Sequence, residues 1–373
     1  MPRENAKIDP DRLAERLRAL PGLERVREAA QDVPIYLVGG AVRDLLLGRE
    51  RTDLDVVVEG DAQALGRRLG GEVRAHERFA TAKIDVEGLE LDLAAARTET
   101  YPGPGALPEV RPATLPEDLA RRDFTVNAMA LPLDAEPELI DPYGGARDLE
   151  EGVLRVLHEG SFVDDPTRAL RAARYAARYE FALEPETERL LRAANLESVS
   201  RDRVDAEIRK LAAEPRAARG FELLDEWDLV AIDPEAPKLV DSVGELAGSD
   251  PWSKTVRRED AVLAAALGRG VERARQLAAL PPAKPSEAFE LARAHNSVTL
   301  VLARALGAQW LDRYVAEWRH VRLAIDGADL LAAGVPQGPA IGRGLEAAMR
   351  AKLDGEAAGR EQELEVALEA ARA

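Results

Sequence analysis

Cysteine is absent from the 373 residues, which excludes disulfides, thiolate zinc sites and cysteine nucleophiles. Aromatic residues amount to 4%, too few for a sheet that stacks RNA bases on rows of rings, so base contacts must come from arginine planes or single aromatics. No apolar run approaches a membrane span, and the opening residues MPRENAKIDPDRLAERL hold no apolar segment of a secretory signal. A soluble, cytoplasmic protein with no membrane partner is the expectation. Basic residues are in deficit too: the net charge of −17 argues against a general nucleic-acid binder. RNA remains open as a partner, because arginine is plentiful and can be gathered on one surface. Methionine, asparagine and glutamine are scarce beside Arg, Glu, Ala and Pro, a bias that suits either a thermophile or a GC-rich genome.

What is present is ample for folding: 46% of residues are hydrophobic, and a chain of this length exceeds one ordinary core, so two or three domains are expected. The chain is organised around Leu37 to Asp61, LVGGAVRDLLLGRERTDLDVVVEGD. An apolar strand turns on Gly39 and Gly40, passes through a Leu-rich helix and returns as a strand bearing Asp53 and Asp55. Side chains alternate faces along a strand, so two aspartates one residue apart point the same way and can share hard divalent cations. Two such ions activate a hydroxyl and stabilise a leaving pyrophosphate, which is phosphoryl or nucleotidyl chemistry. Glycine amides suit close approach to a phosphate, and Arg43 follows them as a charge clamp.

The rest of the chain supplies further pieces. Leu13, Leu17, Leu20, Leu23 and Val26 predict one helix from Asp9 to Gln31. Asp61 is placed to cap a helix over Ala62 to Leu69, ended by Gly70-Gly71, and strands follow at Ala82 to Val86 and Leu89 to Ala95 around a Glu87-Gly88 turn. Asp92 on the second strand is either a third carboxylate of the site or structural. Arg97 to Val110 is too rich in Pro and Gly for regular structure and reads as a long loop. Arg121 and Arg122, set before Asp123, Thr125 and Asn127, can meet triphosphate oxygens. Asp141, Gly144 and Gly145 read as structural. Near residue 158 the character turns helical, and one helix is predicted over Phe162 to Arg178, with Arg168, Arg171, Arg174 and Arg178 on one face.

Four ordered motifs, GGAVRD with DLD, RRDFTVNAMA, DDPTRALR and SRDRVDAE, resemble those of class II tRNA nucleotidyltransferases (CCA-adding enzymes) and bacterial poly(A) polymerases, within the DNA polymerase beta superfamily. The resemblance implies an α+β architecture: a polymerase-beta-like nucleotidyltransferase head with a mixed sheet over residues 1–157, a helical neck over 158–225 that recognises the base, and a helical body and tail over 226–373 that bind tRNA. It implies template-independent addition of CCA, or its terminal A, to tRNA 3′ ends from CTP and ATP, with Mg2+ held by Asp53 and Asp55. Gly39, Gly40, Arg43, Arg121 and Arg122 would bind the nucleotide's phosphates. Asp165 and Arg168 would act as an amino-acid template for the base, supported by Arg171 and Arg174, while Arg203 and Glu207 brace the neck. Asp164 and Asp202 stand where the family usually has Glu. RTETY looks like the start of the family's flexible loop. A poly(A) polymerase, a CC-only enzyme and an inactive RNA-binding relative are the alternatives.

Overall fold

The computed structural model describes residues 10–20, 22–49, 53–70, 81–86, 89–134 and 138–373. Asp9, Gly71, the Glu87-Gly88 turn and the side chain of Asp53 lie outside the described residues. Two compact units emerge, Met1–Glu207 with Glu226–Leu229, and Ile208–Asp225 with Val230–Ala373.

In the first unit α1 (Pro10–Arg18) and α2 (Leu23–Ala30) occupy the stretch whose apolar spacing predicts a single helix. The sequence holds Pro21 between them, a residue type with no N–H to give to a helical ladder, and this accounts for the division. β1 (Ile35–Val38), α3 (Gly40–Leu46) and β2 (Asp53–Val58) form the predicted strand, helix and strand. α4 (Ala62–Arg68) is capped by Asp61, which accepts from the Ala64 amide at 2.9 Å. β3 (Thr81–Val86) and β4 (Leu89–Ala95) match expectation to within a residue. β5 (Arg97–Thr100) and β6 (Glu109–Pro112) then correct it: they pair antiparallel, Arg97 opposite Pro112 and Thr100 opposite Glu109, so the presumed irregular loop is a ribbon with a tip at 101–108. Most of its Pro and Gly sit in that tip, which leaves the short segments RTET and EVRP free to pair.

α5 (Leu115–Ala120), β7 (Ala130–Pro132) and α6 (Gly145–Glu151) complete the head. Asp141 accepts from the Gly145 and Ala146 amides at 2.7 and 2.9 Å at the start of α6. The sheet order is β3-β4-β2-β1-β7, with β2 and β4 parallel and the other pairs antiparallel. Leu54, Val56, Ile84, Leu91 and Leu93 are buried, whereas Asp55, Lys83, Asp85, Glu90 and Asp92 between them are exposed. This alternation gives the sheet one apolar face and, on the other, charges over β3, β4 and the start of β2, beyond which Val57 is buried with Val38, Leu115 and Leu119.

Past β8 (Val153–Leu154), the helices are α7 (Ser161–Asp164), α8 (Thr167–Tyr179), α9 (Pro185–Leu191) and α10 (Arg201–Ala213). Two expectations change here. β9 (Ala182–Leu183) pairs parallel with β8, so this stretch is mostly rather than wholly helical. The helix predicted over Phe162 to Arg178 is two pieces, because Asp165 precedes Pro166, whose ring disfavours helical backbone in the residue before it; Asp165 accordingly sits at φ −135°, ψ 91°.

The second unit is helical throughout its described secondary structure. Near its end, Ile325, Leu330, Val335, Ala348, Ala367 and Ala371 make a core beneath the helices Pro339–Leu353 and Arg360–Arg372. Glu363, fully buried there, is satisfied by Lys352 at 2.6 Å and the Ala324 amide at 2.6 Å. No described helix is long and apolar enough to cross a membrane.

Candidate active site

The first unit contains a cleft of about 460 Å³ lined by nine arginines, namely 43, 97, 121, 122, 168, 171, 174, 178 and 203, and by the carboxylates of Asp55, Glu99, Asp123 and Asp165. In a chain of net charge −17 this is a local reversal of sign, suited to a polyanion.

Asp55 reaches the cleft from the charged face of β2. Its register partner on the parallel strand β4 is Asp92, and Asp92 pairs in turn with Lys83, whose Nζ lies 3.5 Å from its carboxylate. Asp53 begins the same strand opposite Glu90. Among the described residues no group of three or more His, Asp or Glu is arranged to hold a metal ion. The donor chemistry still fits a hard cation, because an exposed carboxylate beside a second one on the neighbouring strand offers the oxygen ligands such ions take.

The glycine turn works differently from expectation. Gly40 lines the cleft, but Gly39 does not, and its amide is already given to the Met129 carbonyl at 3.1 Å. Gly39 is required by its backbone: φ 62° with ψ −125° is a conformation that side-chain-bearing residues rarely adopt, and an added Cβ would in addition displace the Arg122 guanidinium, 2.5 Å from Nη1. Arg43, expected as an anion clamp, is only 4% exposed and donates to Asp44, Asn127 and Tyr179, with its guanidinium 4.3 Å above the Tyr179 ring. These contacts tie α3 to the segment after α5 and to α8, while the side chain also lines the cleft.

Arg121 and Arg122 enter the cleft from the end of α5, and both are held by Asp118, which is fully buried. Arg121 meets its Oδ1 at 2.8 Å and Arg122 its Oδ2 at 2.7 Å. Burial pushes the Asp118 carboxyl up, but the two guanidiniums outweigh it and hold the group below the usual carboxylate range. Asp118 is a site residue that the motif reading misses, although its spacing of three and four residues from the arginines is the helical signature of such a pair. Glu99 on β5 is missed as well; it accepts from Arg121 at 2.7 Å, from Arg97 at 3.2 Å and from the Tyr101 hydroxyl at 3.0 Å. Burial and Glu99 raise Tyr101 to about 12, so it stays a neutral donor.

Asp123 and Asn127 link the cleft floor. Asp123 accepts from Asn127 at 3.0 Å and pairs with Arg171 at 2.9 Å, and its carboxyl is held down by Arg171 against the upward push of burial. On α8, Arg174 lies 3.6 Å from Glu207 and 4.5 Å from the centre of the Tyr175 ring. Arg168 is 3% exposed and donates to Ser161 Oγ and to the Arg121 carbonyl, both at 2.7 Å and both neutral oxygens. Asp165 accepts through Oδ1 from the Thr167 amide and hydroxyl and from Arg203 at 2.9 Å. The break before Pro166 therefore brings Asp165, Arg168, Arg171 and Arg174 to one wall.

Residues 35–155 match the poly(A) polymerase head domain, and residues 180–237 match a probable RNA- and SrmB-binding site of polymerase A. The A-adding tRNA nucleotidyltransferase of Aquifex aeolicus is 48% identical over 52% of this chain and 24% of its own length. The CC-adding tRNA nucleotidyltransferase of Deinococcus radiodurans is 38% identical over 86% of this chain and 84% of its own. A structure of the Thermotoga maritima CCA-adding enzyme complexed with tRNA aligns over 96% of this chain and 98% of that one, at 30% identity and a TM-score of 0.73. The chain spans less than half the length of several A-adding relatives that it matches. Nucleotidyltransferases of this kind generally use divalent metals. The match along nearly the whole CC-adding relative shows that the chain belongs to the class II tRNA nucleotidyltransferase family, that of the CCA-adding enzymes.

Proposed function

We propose that the protein adds CCA, or its terminal A, to tRNA 3′ ends from CTP and ATP without a nucleic-acid template. The observation that carries this reading is the arginine-lined cleft with Asp55 at its wall in an otherwise acidic chain. Asp53 and Asp55 would hold the metal, Mg2+ in the cytoplasm where tRNA is matured. Two such ions, when bound, favour ionisation of the primer's 3′ hydroxyl and neutralise the departing pyrophosphate. Arg121 and Arg122 receive the triphosphate as a forked pair kept in place by Asp118 and Glu99. Arg43 and the glycine turn shape the wall behind them. The head, residues 1–157, carries the chemistry; the neck, 158–225, reads the base; the body and tail, 226–373, hold the tRNA.

Asp165 and Arg168 offer an acceptor and a donor fork that mimic a base edge, and a base leaving them unpaired is rejected. The position of Arg168 in the cleft wall beside Asp165, with its guanidinium fixed by Ser161 and the Arg121 carbonyl, supports this role. Arg168→Ala is expected to blur discrimination of CTP and ATP against UTP and GTP by about tenfold or more, while triphosphate affinity falls less. Competition assays with all four nucleotides test it; an equal loss for all four would contradict the assignment.

A second reading, addition of the terminal A alone, is favoured by the identity to A-adding relatives and by the ribbon tip at 101–108. A site that takes CTP twice and then ATP must be readjusted after the second C, and an element tethered by strands on both sides can move without unfolding the head. Replacing Pro102 to Glu109 by a short Gly-Ser linker should spare C addition and sharply reduce A addition. Loss of both activities together would indicate a folding defect, and full retention of A addition would remove the tip from the mechanism.

A further inference from the structure

Besides the Tyr101 hydroxyl at its base, which donates to Glu99, the tip at 101–108 is held through the backbone of Gly105. Gly105 alone among these residues is buried. Its amide donates to the Val163 carbonyl on α7 at 3.1 Å, and its carbonyl accepts from Arg203 Nη1 on α10 at 2.8 Å. An added Cβ would lie 2.6 Å from the Ser198 carbonyl oxygen, and the residue's φ is +67°, so the slot admits only glycine. The other amino group of Arg203, Nη2, donates to Asp165 Oδ1 at 2.9 Å. One rigid, planar guanidinium therefore holds the tip and the base-reading carboxylate at fixed separation.

We infer that Arg203 is a positioning residue that transmits the docked or undocked state of the tip to Asp165, and so sets which base the site accepts. The inference rests on the reading of Asp165 as a base-reading group. When Gly105 leaves its slot, Arg203 loses one of its two anchors and can turn, and Oδ1 of Asp165 loses the Arg203 donor while keeping Thr167. The orientation of the acceptor presented to the base then changes with no new contact from the tip itself. Lysine cannot replace this function, because a single ammonium has no fork with which to span both oxygens.

The test is a pair of variants and their combination, Arg203→Lys, Gly105→Val and both, read in two ways. Hydrogen exchange at the backbone amide of position 105 reports docking; the ratio of kcat/KM for CTP on tRNA lacking CCA to that for ATP on tRNA ending in CC reports base choice. Arg203→Lys should accelerate exchange across the tip and shift the ratio by roughly tenfold, as expected for loss of a charged hydrogen bond. Gly105→Val should shift it in the same direction, and the double variant should be no worse than the stronger single one. Additive effects, or an unchanged ratio in Arg203→Lys with accelerated exchange, would overturn the coupling. Arg203→Met, which keeps bulk without charge, guards against misfolding: it should match Arg203→Lys in the ratio, and a loss of all activity with an intact fold would overturn the positioning role. Failure of the template reading itself looks different, since Arg168→Ala would then leave selectivity unchanged as well.

Discussion

On the proposed function, Asp55→Ala is expected to abolish nucleotide addition while leaving the fold and tRNA binding intact. Asp55 is exposed on the charged face of β2, outside the apolar core, so its removal costs no core contact. The proposed loss is that of a hard oxygen ligand at the wall of the cleft, which would help hold the ions that favour ionisation of the primer hydroxyl and neutralise pyrophosphate; the rate should then fall by several orders of magnitude. Asp53→Ala is expected to behave alike, as the neighbouring same-face position of the strand. Circular dichroism and tRNA gel shift should match the parent protein. Activity near the parent level in Mg2+ would remove the carboxylates from the mechanism.

The second large effect is expected at a residue that touches no substrate. Asp118 is fully buried and pairs with both Arg121 and Arg122, so Asp118→Ala leaves Arg122 without its carboxylate partner and Arg121 with Glu99 as its remaining carboxylate. Breaking a buried pair from one side costs about 3–5 kcal/mol, and the loss of alignment should raise the KM for both CTP and ATP by about tenfold or more. Asp118→Asn should retain part of the hydrogen bonding and fall between. The pH dependence has a definite sign. A carboxyl depressed in the folded state contributes stability above its unfolded pKa, about 3.9, and loses it as pH falls through the lower folded value. The parent protein should therefore lose more stability than Asp118→Asn on acidification below about pH 4, which denaturant titrations at about pH 3 and pH 6 measure. Equal slopes in the two proteins would contradict the assignment.

Much of this site is legible in residue order. The alternation in DLD and LELDL signals strands with charges on one face and apolar residues on the other, and Asp61 announces its helix, because both signals are local. The break at Asp165 is written in the DDP triplet but masked by the strong arginine periodicity that follows. The β5–β6 ribbon is hidden because Pro and Gly in the tip dominate the composition of a window that also holds two four-residue strands. Asp118 is easily overlooked because the arginines draw attention to their own charge rather than to what must hold two cations together. Gly105 and Arg203 lie 98 residues apart, and no periodicity connects them. Gly39 falls in a turn as its sequence implies, and its reason, a positive-φ backbone, is likewise local.

Stepwise repair of tRNA ends is tested most directly by offering the protein tRNA ending at the discriminator base, tRNA ending in C and tRNA ending in CC, each with CTP or ATP and Mg2+, and sizing the products on a sequencing gel. Defined stops are expected: two C on the first substrate, one C on the second and one A on the third, or the A step alone, with UTP and GTP refused. Long A tails on any RNA, or no incorporation at all, would contradict the proposed activity.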